Sequence, residues 1–297
     1  MRTTNGRNAA ELELSEHELS EIRMLIEGRT GICFDESRDR FFVTRVREHL
    51  QSRGFERGTD FLRAAHKANV EYEALLEKLL TQETTFFRYP AVYEAFQKRA
   101  LPELHIKKFW KSPRTLRIWS AGCSSGEEPY SIAITIADTL SFADAWTVEI
   151  LATDVGRMAL KHAENAIYSG RSISSVNEKQ LAAHFSPLEK GQQVKPRLRK
   201  MVNFRQMNLA NAVYVGRMDV IFCMNVLIYL SEERRRELVQ RFYDTLEPGG
   251  YLFLGHSESI SKMPVKFQAI VLNDCILYRK PTAEELQKTE LATEGRA

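Results

Sequence analysis

Two glycines and two adjacent glutamates follow a short apolar run near the middle of the chain, in the segment AGCSSGEE at 121–128. Small residues let a backbone approach a ligand closely. The spacing of Gly122 and Gly126 is G-x-x-x-G, which differs from the G-x-G-x-x-G of dinucleotide sites. Glu127 and Glu128 would repel a pyrophosphate and attract an ammonium group. Acidic residues also stabilise any first helical turn, so this segment alone leaves both interpretations open.

Three more polar residues stand next to apolar runs further along the chain, namely Asp154, Asn208 and Asn225. A carboxylate at a strand end, such as Asp154, can accept hydrogen bonds from both hydroxyls of a ribose, and it can equally cap the next helix. An asparagine has both donors and acceptors, so Asn208 and Asn225 could read an adenine edge or close a turn. Together these residues suit an adenosine joined to an amino acid without phosphates. S-adenosylmethionine fits this description better than NAD does.

Short apolar runs that alternate with helical patterns must position these residues. The runs LRIWSAG, VEILATD, MDVIFCMN and YLFLGHS predict buried strands, and FQAIVL-ND-CILYRK predicts a hairpin. Such alternation is typical of an α/β domain with a parallel, doubly wound sheet, here with an antiparallel hairpin at its end. A ligand of such a sheet binds beyond the carboxyl ends of the strands, which is where the polar residues stand.

The first 80 residues predict helices only. Ser15 and Glu18 form an S-x-x-E capping box, and the helix that follows is expected to end at Gly28. Further helices are predicted at 38–53, 59–67 and 71–80.

The predicted organisation has five parts. They are a flexible tail at 1–12, a helical N-terminal domain at 13–82, a linker and helix at 83–112, a sheet domain at 113–280 with a small β insertion at about 186–207, and a flexible tail at 281–297.

The composition argues against several classes of protein. The chain has 297 residues and a net charge of +3, which is too mild to imply a nucleic-acid partner. No apolar run is long enough to span a membrane, and the N-terminus lacks the apolar core of a signal peptide, so a cytoplasmic protein without membrane insertion is expected. The four cysteines form no C-x-x-C pair, so no metal site is predicted.

Six blocks occur in an order that resembles one known family. They are QETTFFR (82–88), IWSAGCSSGEEPYSIAI (118–134), LATD (151–154), NFRQMNL (203–209), IFCMNVLIYL (221–230) and GHSES (255–259). From about residue 13 to 280 the chain resembles the chemotaxis receptor protein-glutamate methyltransferases, the CheR family. The resemblance implies a Rossmann-like, S-adenosylmethionine-dependent methyltransferase domain with a small β insertion, preceded by an all-α N-terminal domain. It also implies methyl transfer to glutamates on the helical cytoplasmic domains of chemoreceptors, with S-adenosylhomocysteine as the product.

The resemblance assigns cofactor contacts to positions of this chain. They are Gln82, Thr84 and Arg88 of the linker, Glu128 or its neighbour Glu127 for the methionine moiety, Asp154 for the ribose, Asn208 and Leu209 for the adenine, and Asn225 and Val226 on the other side of the cofactor. The family commonly has Asn where this chain has Gln82, which keeps the amide on a side chain longer by one methylene. The insertion is shorter than in enteric-type members, so its use to hold a receptor peptide stays open.

Methyl transfer to a carboxylate needs alignment rather than a general base. A glutamate with an ordinary pKa of about 4.3 is already ionised at neutral pH. Arg88 is the first candidate for catalysis, because a guanidinium can hold a carboxylate in a fixed orientation. Tyr229 could position the acceptor through its hydroxyl. The alternatives are a linker salt bridge for Arg88 and a packed aromatic side chain for Tyr229.

Basic residues on the second predicted helix suggest how a substrate is found. Arg38, Arg45 and Arg47 flank an apolar stripe and could dock onto an acidic helical bundle such as a chemoreceptor, or they could form an ordinary solvated face. Nothing in the sequence demands a dimer, so a monomer is expected. The rival functions are another S-adenosylmethionine methyltransferase, acting on RNA or on a small carboxylate, and a cofactor-binding scaffold without turnover.

Overall fold

The computed structural model describes residues 12–80, 83–140, 145–211 and 215–294. The predicted flexible tail at 1–12 lies, except for its last residue, outside the described residues. The chain divides into two compact units, Met1–Thr81 and Gln82–Ala297. Among the described helices, none is both long and apolar enough to cross a lipid bilayer.

Four helices form the described part of the N-terminal unit. They are α1 (Glu16–Thr30), α2 (Glu36–Arg53), α3 (Gly58–Lys67) and α4 (Asn69–Leu79). Their apolar faces make a shared core in which Ile22, Phe42 and Leu75 are fully buried. The predicted capping box is present, because Glu18 N donates to the Ser15 hydroxyl at 3.2 Å and Ser15 N donates to Glu18 Oε2 at 3.1 Å.

The first helix is longer than the sequence predicted. Gly28 does not end α1, which continues to Thr30 with Gly31 as its C-cap residue. The buried Thr30 hydroxyl donates to Ile26 O at 2.7 Å and supports this last turn. Gly28 is exposed, and a Cβ there would meet no heavy atom within 4 Å, so nothing at this position forces the chain to turn.

The second unit is built on a seven-stranded sheet. The ten described strands of this unit, in chain order, are β1 (Thr115–Ala121), β2 (Thr147–Asp154), β3 (Ile167–Tyr168), β4 (Phe185–Leu188), β5 (Gly191–Val194), β6 (Val202–Gln206), β7 (Met218–Cys223), β8 (Leu246–Leu254), β9 (Gln268–Leu272) and β10 (Cys275–Arg279). The main sheet has the order β6-β2-β1-β7-β8-β10-β9. Its first five strands run parallel, and β10 is antiparallel to both of its neighbours. The predicted fold class is confirmed.

Helices pack against both faces of this sheet. The helices of this unit are α5 (Pro90–Ala95), a π-helical turn (Phe96–Ala100), α6 (Leu101–Lys108), α7 (Glu127–Thr139), α8 (Arg157–Asn165), α9 (Glu178–His184), α10 (Pro196–Arg199), α11 (Glu232–Thr245) and α12 (Ala283–Glu294). Successive strand residues point to opposite faces, so Ile118 belongs to one buried cluster with Ile132 of α7, and Trp119 belongs to another with Phe242 of α11. Burial on both faces explains why the central strands are continuous apolar runs.

The insertion predicted at 186–207 is divided between two sheets. β4 and β5 pair with each other and with β3 in a separate three-stranded sheet. β6, in contrast, is the edge strand of the main sheet and runs parallel to β2. Phe204 is the one buried side chain among the five residues of β6, so this strand lacks the apolar run from which the central strands were predicted.

The tail predicted to be flexible at 281–297 contains a helix. Residues 283–294 form α12, and Glu285 in its first turn is held by two neighbours. Its carboxylate pairs with Arg279 Nη1 at 2.8 Å and accepts from Thr282 N at 2.7 Å. These contacts stabilise the first turn of α12, and the acidic composition of the segment gave no indication of this helix.

One histidine is buried in the N-terminal unit. His49 of α2 is 1% exposed, and neither ring nitrogen has a hydrogen-bond partner among the residues that the structure describes. Glu71 Oε2 lies 3.9 Å from Nε2. Burial, together with the positive charge of Lys78, lowers the pKa of His49 to about 4, and the negative charge of Glu71 offsets only part of this effect. The folded unit therefore keeps this ring neutral.

We expect the stability of the N-terminal unit to depend on His49 below neutral pH. The ordinary pKa is 6.5 and the folded value is about 4, so between these pH values the unfolded chain takes up a proton that the folded chain does not. Stability should thus fall as the pH drops from 6.5 to 4, by up to about 3 kcal/mol. His49→Leu should remove this dependence in urea denaturation curves, whereas His66→Leu, at an exposed position of α3, should retain it. Equal pH profiles for His49→Leu and the wild type would contradict the assignment.

Candidate active site

An aspartate joins the carboxyl ends of β1 and β2. Asp154, the last residue of β2, accepts from Ser124 N through Oδ2 and from Gly156 N through Oδ1, both at 2.8 Å. Gly122 N donates to Thr153 O at 2.8 Å, which brings the two strand ends together. Asp154 is not the N-cap residue of α8, because that position belongs to Gly156. Asp154, which the sequence predicts to bind the ribose, therefore lies directly beside the G-x-x-x-G turn.

The turn after β1 fits closely against the turn after β7. Gly122 has a φ of +88°, and a Cβ at this position would lie far inside contact distance of Val226 Cγ2. Asn225 has a φ of +60°, and its Oδ1 is buried. Within the described chain, neither this oxygen nor the buried Ser124 Oγ has a hydrogen-bond partner. Two adjacent strand ends thus present polar atoms that a polar ligand could satisfy.

The two glutamates at the start of α7 have different surroundings. Glu127 accepts from Ser125 Oγ through Oε2 and from Ser172 Oγ through Oε1, both at 2.7 Å. Glu128 points back toward β1, where Ser120 Oγ donates to Oε1 at 2.6 Å. Glu127 therefore links α7 to the segment that carries Ser172, and Glu128 lies in the interior behind the glycine turn.

The Glu128 carboxyl lies in a place that disfavours its charge. The pKa of Glu128 is raised to about 8, mainly by burial and to a smaller extent by the negative charges of Glu258 and Asp154. The hydrogen bond from Ser120 and the positive charge of Arg88 act in the opposite direction. A cationic ligand group beside Glu128 would favour its ionised form.

Sequence reasoning missed Glu258, a further carboxylate of this edge. It is 9% exposed, and its Oε2 accepts from Asn225 N and from Gly255 N, both at 2.8 Å. Its Oε1 accepts from Ile228 N at 3.2 Å. The only signal was its position four residues after the end of β8, in the block GHSES, where flanking serines suggest a solvated loop.

The connector before α5 is fixed by its backbone. Phe86 N donates to Ser172 O at 2.9 Å, and Phe87 N donates to Ser131 Oγ at 3.0 Å. The half-buried Arg88 follows, with its Nη1 donating to Glu83 O at 2.5 Å. The predicted contact residue Thr84 is half-buried in this connector, and Gln82 lies outside the described residues.

The remaining predicted cofactor residues lie after β6 and β7. Asn208 Oδ1 accepts from Ala210 N at 2.9 Å, and Arg241 of α11 donates to Leu209 O at 3.0 Å. Tyr229 is half-buried and ends a short 3-10 turn that begins at Leu227. The strand order places both segments at the same carboxyl edge as Asp154 and Asn225.

The predicted docking arginines belong to α2 of the N-terminal unit. Arg38 and Arg45 both lie over the ring of Phe41, at 6.0 and 5.5 Å from its centroid. Arg45 is exposed and pairs with Glu48 at 2.9 Å. Arg47 is half-buried, and its Nε has no hydrogen-bond partner in the ranges that the structure describes. The structure brings two of the three arginines together and sets the third apart.

Comparison with known proteins identifies the family. Residues 82–276 match the model of the CheR methyltransferase, SAM binding domain. The chain belongs to the CheR methyltransferase family. It is 34% identical to chemotaxis protein methyltransferase 2 of Vibrio cholerae, covering 91% of this chain and 95% of the relative. It is also 34% identical to chemotaxis protein methyltransferase 1 of Pseudomonas aeruginosa, and this match covers 87% of this chain and 96% of the relative. The chemotaxis protein methyltransferase of Escherichia coli is 32% identical, and the match covers 86% of this chain and 89% of the relative.

This CheR family member is an S-adenosylmethionine-dependent methyltransferase, as the sequence predicted. The structure fits that cofactor. Asn225 Oδ1 and Ser124 Oγ are buried polar atoms without partners among the described residues, and buried carboxylates surround the same edge. The ammonium group and the ribose hydroxyls of the cofactor supply hydrogen-bond donors that such acceptors require.

We expect Gly122→Ala to destabilise the protein by about 3 kcal/mol, because it adds a strained φ and a clash with Val226. Adding Val226→Ala to the Gly122→Ala variant should restore the part of the stability that the clash removes, but not the part that the backbone strain removes. Gly28→Ala is the matched control and should stabilise by up to about 1 kcal/mol, since its Cβ meets nothing. Urea denaturation measures all four proteins. A Gly122→Ala variant as stable as the wild type would show that the two turns are not tightly packed.

Glu128→Gln should alter how stability depends on pH in the absence of ligand. The folded carboxyl keeps its proton up to about pH 8 and the unfolded one loses it near 4.5, so the wild type loses stability as the pH rises through this window. The difference between variant and wild type should grow to at most about 5 kcal/mol above pH 8. Glu149→Gln, at an exposed position of β2, makes the same chemical change as a control. A constant difference between pH 5 and 9 for Glu128→Gln would rule out a raised pKa.

Proposed function

We propose that this protein transfers the methyl group of S-adenosylmethionine to glutamate side chains of chemoreceptors and forms glutamyl methyl esters. The observation that carries the proposal is the placement of Arg88 in the connector, whose Phe87 N donates to Ser131 Oγ of α7 at 3.0 Å, one helical turn after the buried Glu128. One guanidinium there can serve the cofactor pocket and an incoming carboxylate. The names of the relatives support a role in chemotaxis.

We assign the cofactor contacts as follows. Glu128 receives the ammonium group, because both oxygens of Glu127 already hold serine hydroxyls. Asp154 receives the ribose, and Asn225 and Val226 flank the cofactor opposite the glycine turn. Asn208 and Leu209 line the adenine, and Gln82, Thr84 and Arg88 cover the pocket from the connector. When bound, S-adenosylmethionine supplies the electrophilic methyl group.

The residues of this chain contribute orientation rather than proton transfer. The acceptor glutamate is ionised at neutral pH and needs no base. Arg88 holds its carboxylate by charge-assisted hydrogen bonds, and the Tyr229 hydroxyl fixes the direction of attack. Alignment of this kind can supply roughly 7–11 kcal/mol of acceleration.

The substrate is recognised by the N-terminal unit in this proposal. Arg38, Arg45 and Arg47 of α2 dock onto the helical cytoplasmic domain of a chemoreceptor, and residues 13–82 act as a docking domain. The enzyme works as a cytoplasmic monomer, without nucleic acid and without insertion into the membrane.

The proposed reaction is tested by transfer of a tritiated methyl group from S-adenosylmethionine to receptor fragments. We expect incorporation that mild alkali releases as methanol, because a glutamyl methyl ester hydrolyses under these conditions. Alkali-stable label on RNA would favour a nucleic-acid methyltransferase. Cofactor binding with no incorporation into any receptor fragment would favour a scaffold.

Arg45→Glu should reduce receptor methylation by about tenfold while leaving the affinity for S-adenosylhomocysteine unchanged. The matched control is Arg63→Glu on α3, which reverses the same charge in the same unit and breaks a similar pair, with Asp60 at 3.2 Å. Methylation rates and calorimetric affinities are compared for both variants. Equal effects of the two substitutions would argue against a specific docking role for Arg45.

A further inference from the structure

The block GHSES has no part in the function described so far, although its glutamate is almost fully buried. Glu258 receives three backbone N–H groups, from Asn225, Gly255 and Ile228, at 2.8, 2.8 and 3.2 Å. A buried carboxylate needs such compensation, because an unpaired one is costly to remove from water. All three donors lie in the turns that follow β7 and β8, and these turns border the active site.

The two oxygens of Glu258 support different parts of the turn after β7. Oε2 accepts from Asn225 N and Gly255 N, and so ties the left-handed Asn225 to the end of β8. Oε1 accepts from Ile228 N, inside the 3-10 turn that ends at Tyr229. One carboxylate therefore holds both ends of the same turn, namely Asn225, which is proposed to flank the cofactor, and the segment next to Tyr229, which is proposed to orient the glutamate that receives the methyl group.

The absence of a side chain at Gly255 leaves the space that the Glu258 carboxylate occupies. A Cβ on Gly255 would lie 2.7 Å from Glu258 Oε2 and 2.9 Å from Asn225 N, which is closer than real Cβ atoms come to such neighbours. Any larger residue at 255 would separate the carboxylate from Asn225. Gly255 and Glu258 are thus both needed for the hydrogen bond between the Glu258 carboxylate and Asn225 N.

We propose that Glu258 is a positioning residue for methyl transfer, which acts by holding the Asn225–Tyr229 turn through both carboxylate oxygens. The proposal rests on the function proposed above, and it adds a residue with no direct contact to either reactant. The negative charge of Glu258 also reaches Glu128, whose pKa it raises, so the two carboxylates share one electrostatic environment.

Glu258→Gln separates this role from simple structural support. An amide has one acceptor oxygen and one donor NH₂ group. Its oxygen can keep the bonds from Asn225 and Gly255, but its NH₂ group then faces Ile228 N and frees the Tyr229 end of the turn. We expect kcat to fall by at least about tenfold, with the affinity for S-adenosylhomocysteine within about threefold of the wild type.

Two further variants complete the experiment. Gly255→Ala displaces the carboxylate on the Asn225 side, so it should lower the affinity for S-adenosylhomocysteine as well as kcat. Ser257→Ala, at an exposed position of the same block, should match the wild type in both. Calorimetry, tritium transfer to receptor fragments and melting temperature are measured for each protein.

The outcomes distinguish the positioning role from the proposed reaction. If Glu258→Gln keeps more than about a third of the wild-type kcat, or loses cofactor affinity and melting temperature in proportion to kcat, the positioning role is wrong. If the wild type itself transfers no methyl group to receptors, the proposed reaction fails. The affinities of Gly255→Ala and Glu258→Gln still test the divided role in that case, and equal losses would overturn it.

Discussion

Three carboxylates at one edge of the sheet are the constraint on which the active site depends. Glu128 lies at the start of α7, Asp154 at the end of β2 and Glu258 in the loop after β8, and each carboxylate accepts a hydrogen bond from a neighbouring element or turn. Burial is the main reason why the pKa of Glu128 rises to about 8, and the negative charges of Glu258 and Asp154 act in the same direction. A fold accepts this cost where a cationic ligand offsets it. Adenosine carrying an ammonium group and a sulfonium is a ligand of that kind, whereas a pyrophosphate would add to the repulsion.

Segments far apart in the chain cooperate to hold this edge. The connector donates from Phe86 N to Ser172 O and from Phe87 N to Ser131 Oγ, so it is joined both to α7 and to the segment between β3 and α9. Glu127 reaches the same segment through Ser172 Oγ. The position of Arg88 therefore depends on the contacts that its neighbours Phe86 and Phe87 make with segments distant in the chain. These contacts explain how a short polar segment keeps a defined place beside the cofactor pocket.

The sequence predicted elements well where one physical signal dominates. Buried central strands such as β7 are continuous apolar runs, and the Ser15 capping box marks the start of α1. β6 was assigned to the insertion because an edge strand buries little and loses that signal. α12 was assigned to a flexible tail because its stabilising partner, Arg279, lies on β10. Asp154 and Asn225 were found because they follow apolar runs directly, but Glu258 was not, since a carboxylate among serines resembles a solvated loop until its three backbone donors are known.

The close fit of Gly122 against Val226 has a consequence for how such sequences can diverge. Two turns that are separated by about a hundred residues share one small volume, so the residue at either position determines which residues the other tolerates. A larger side chain at 122 requires both a smaller one at 226 and a backbone that no longer needs a positive φ. Drift at these two sites is therefore correlated, and homologous chains should vary there in compensating pairs rather than independently.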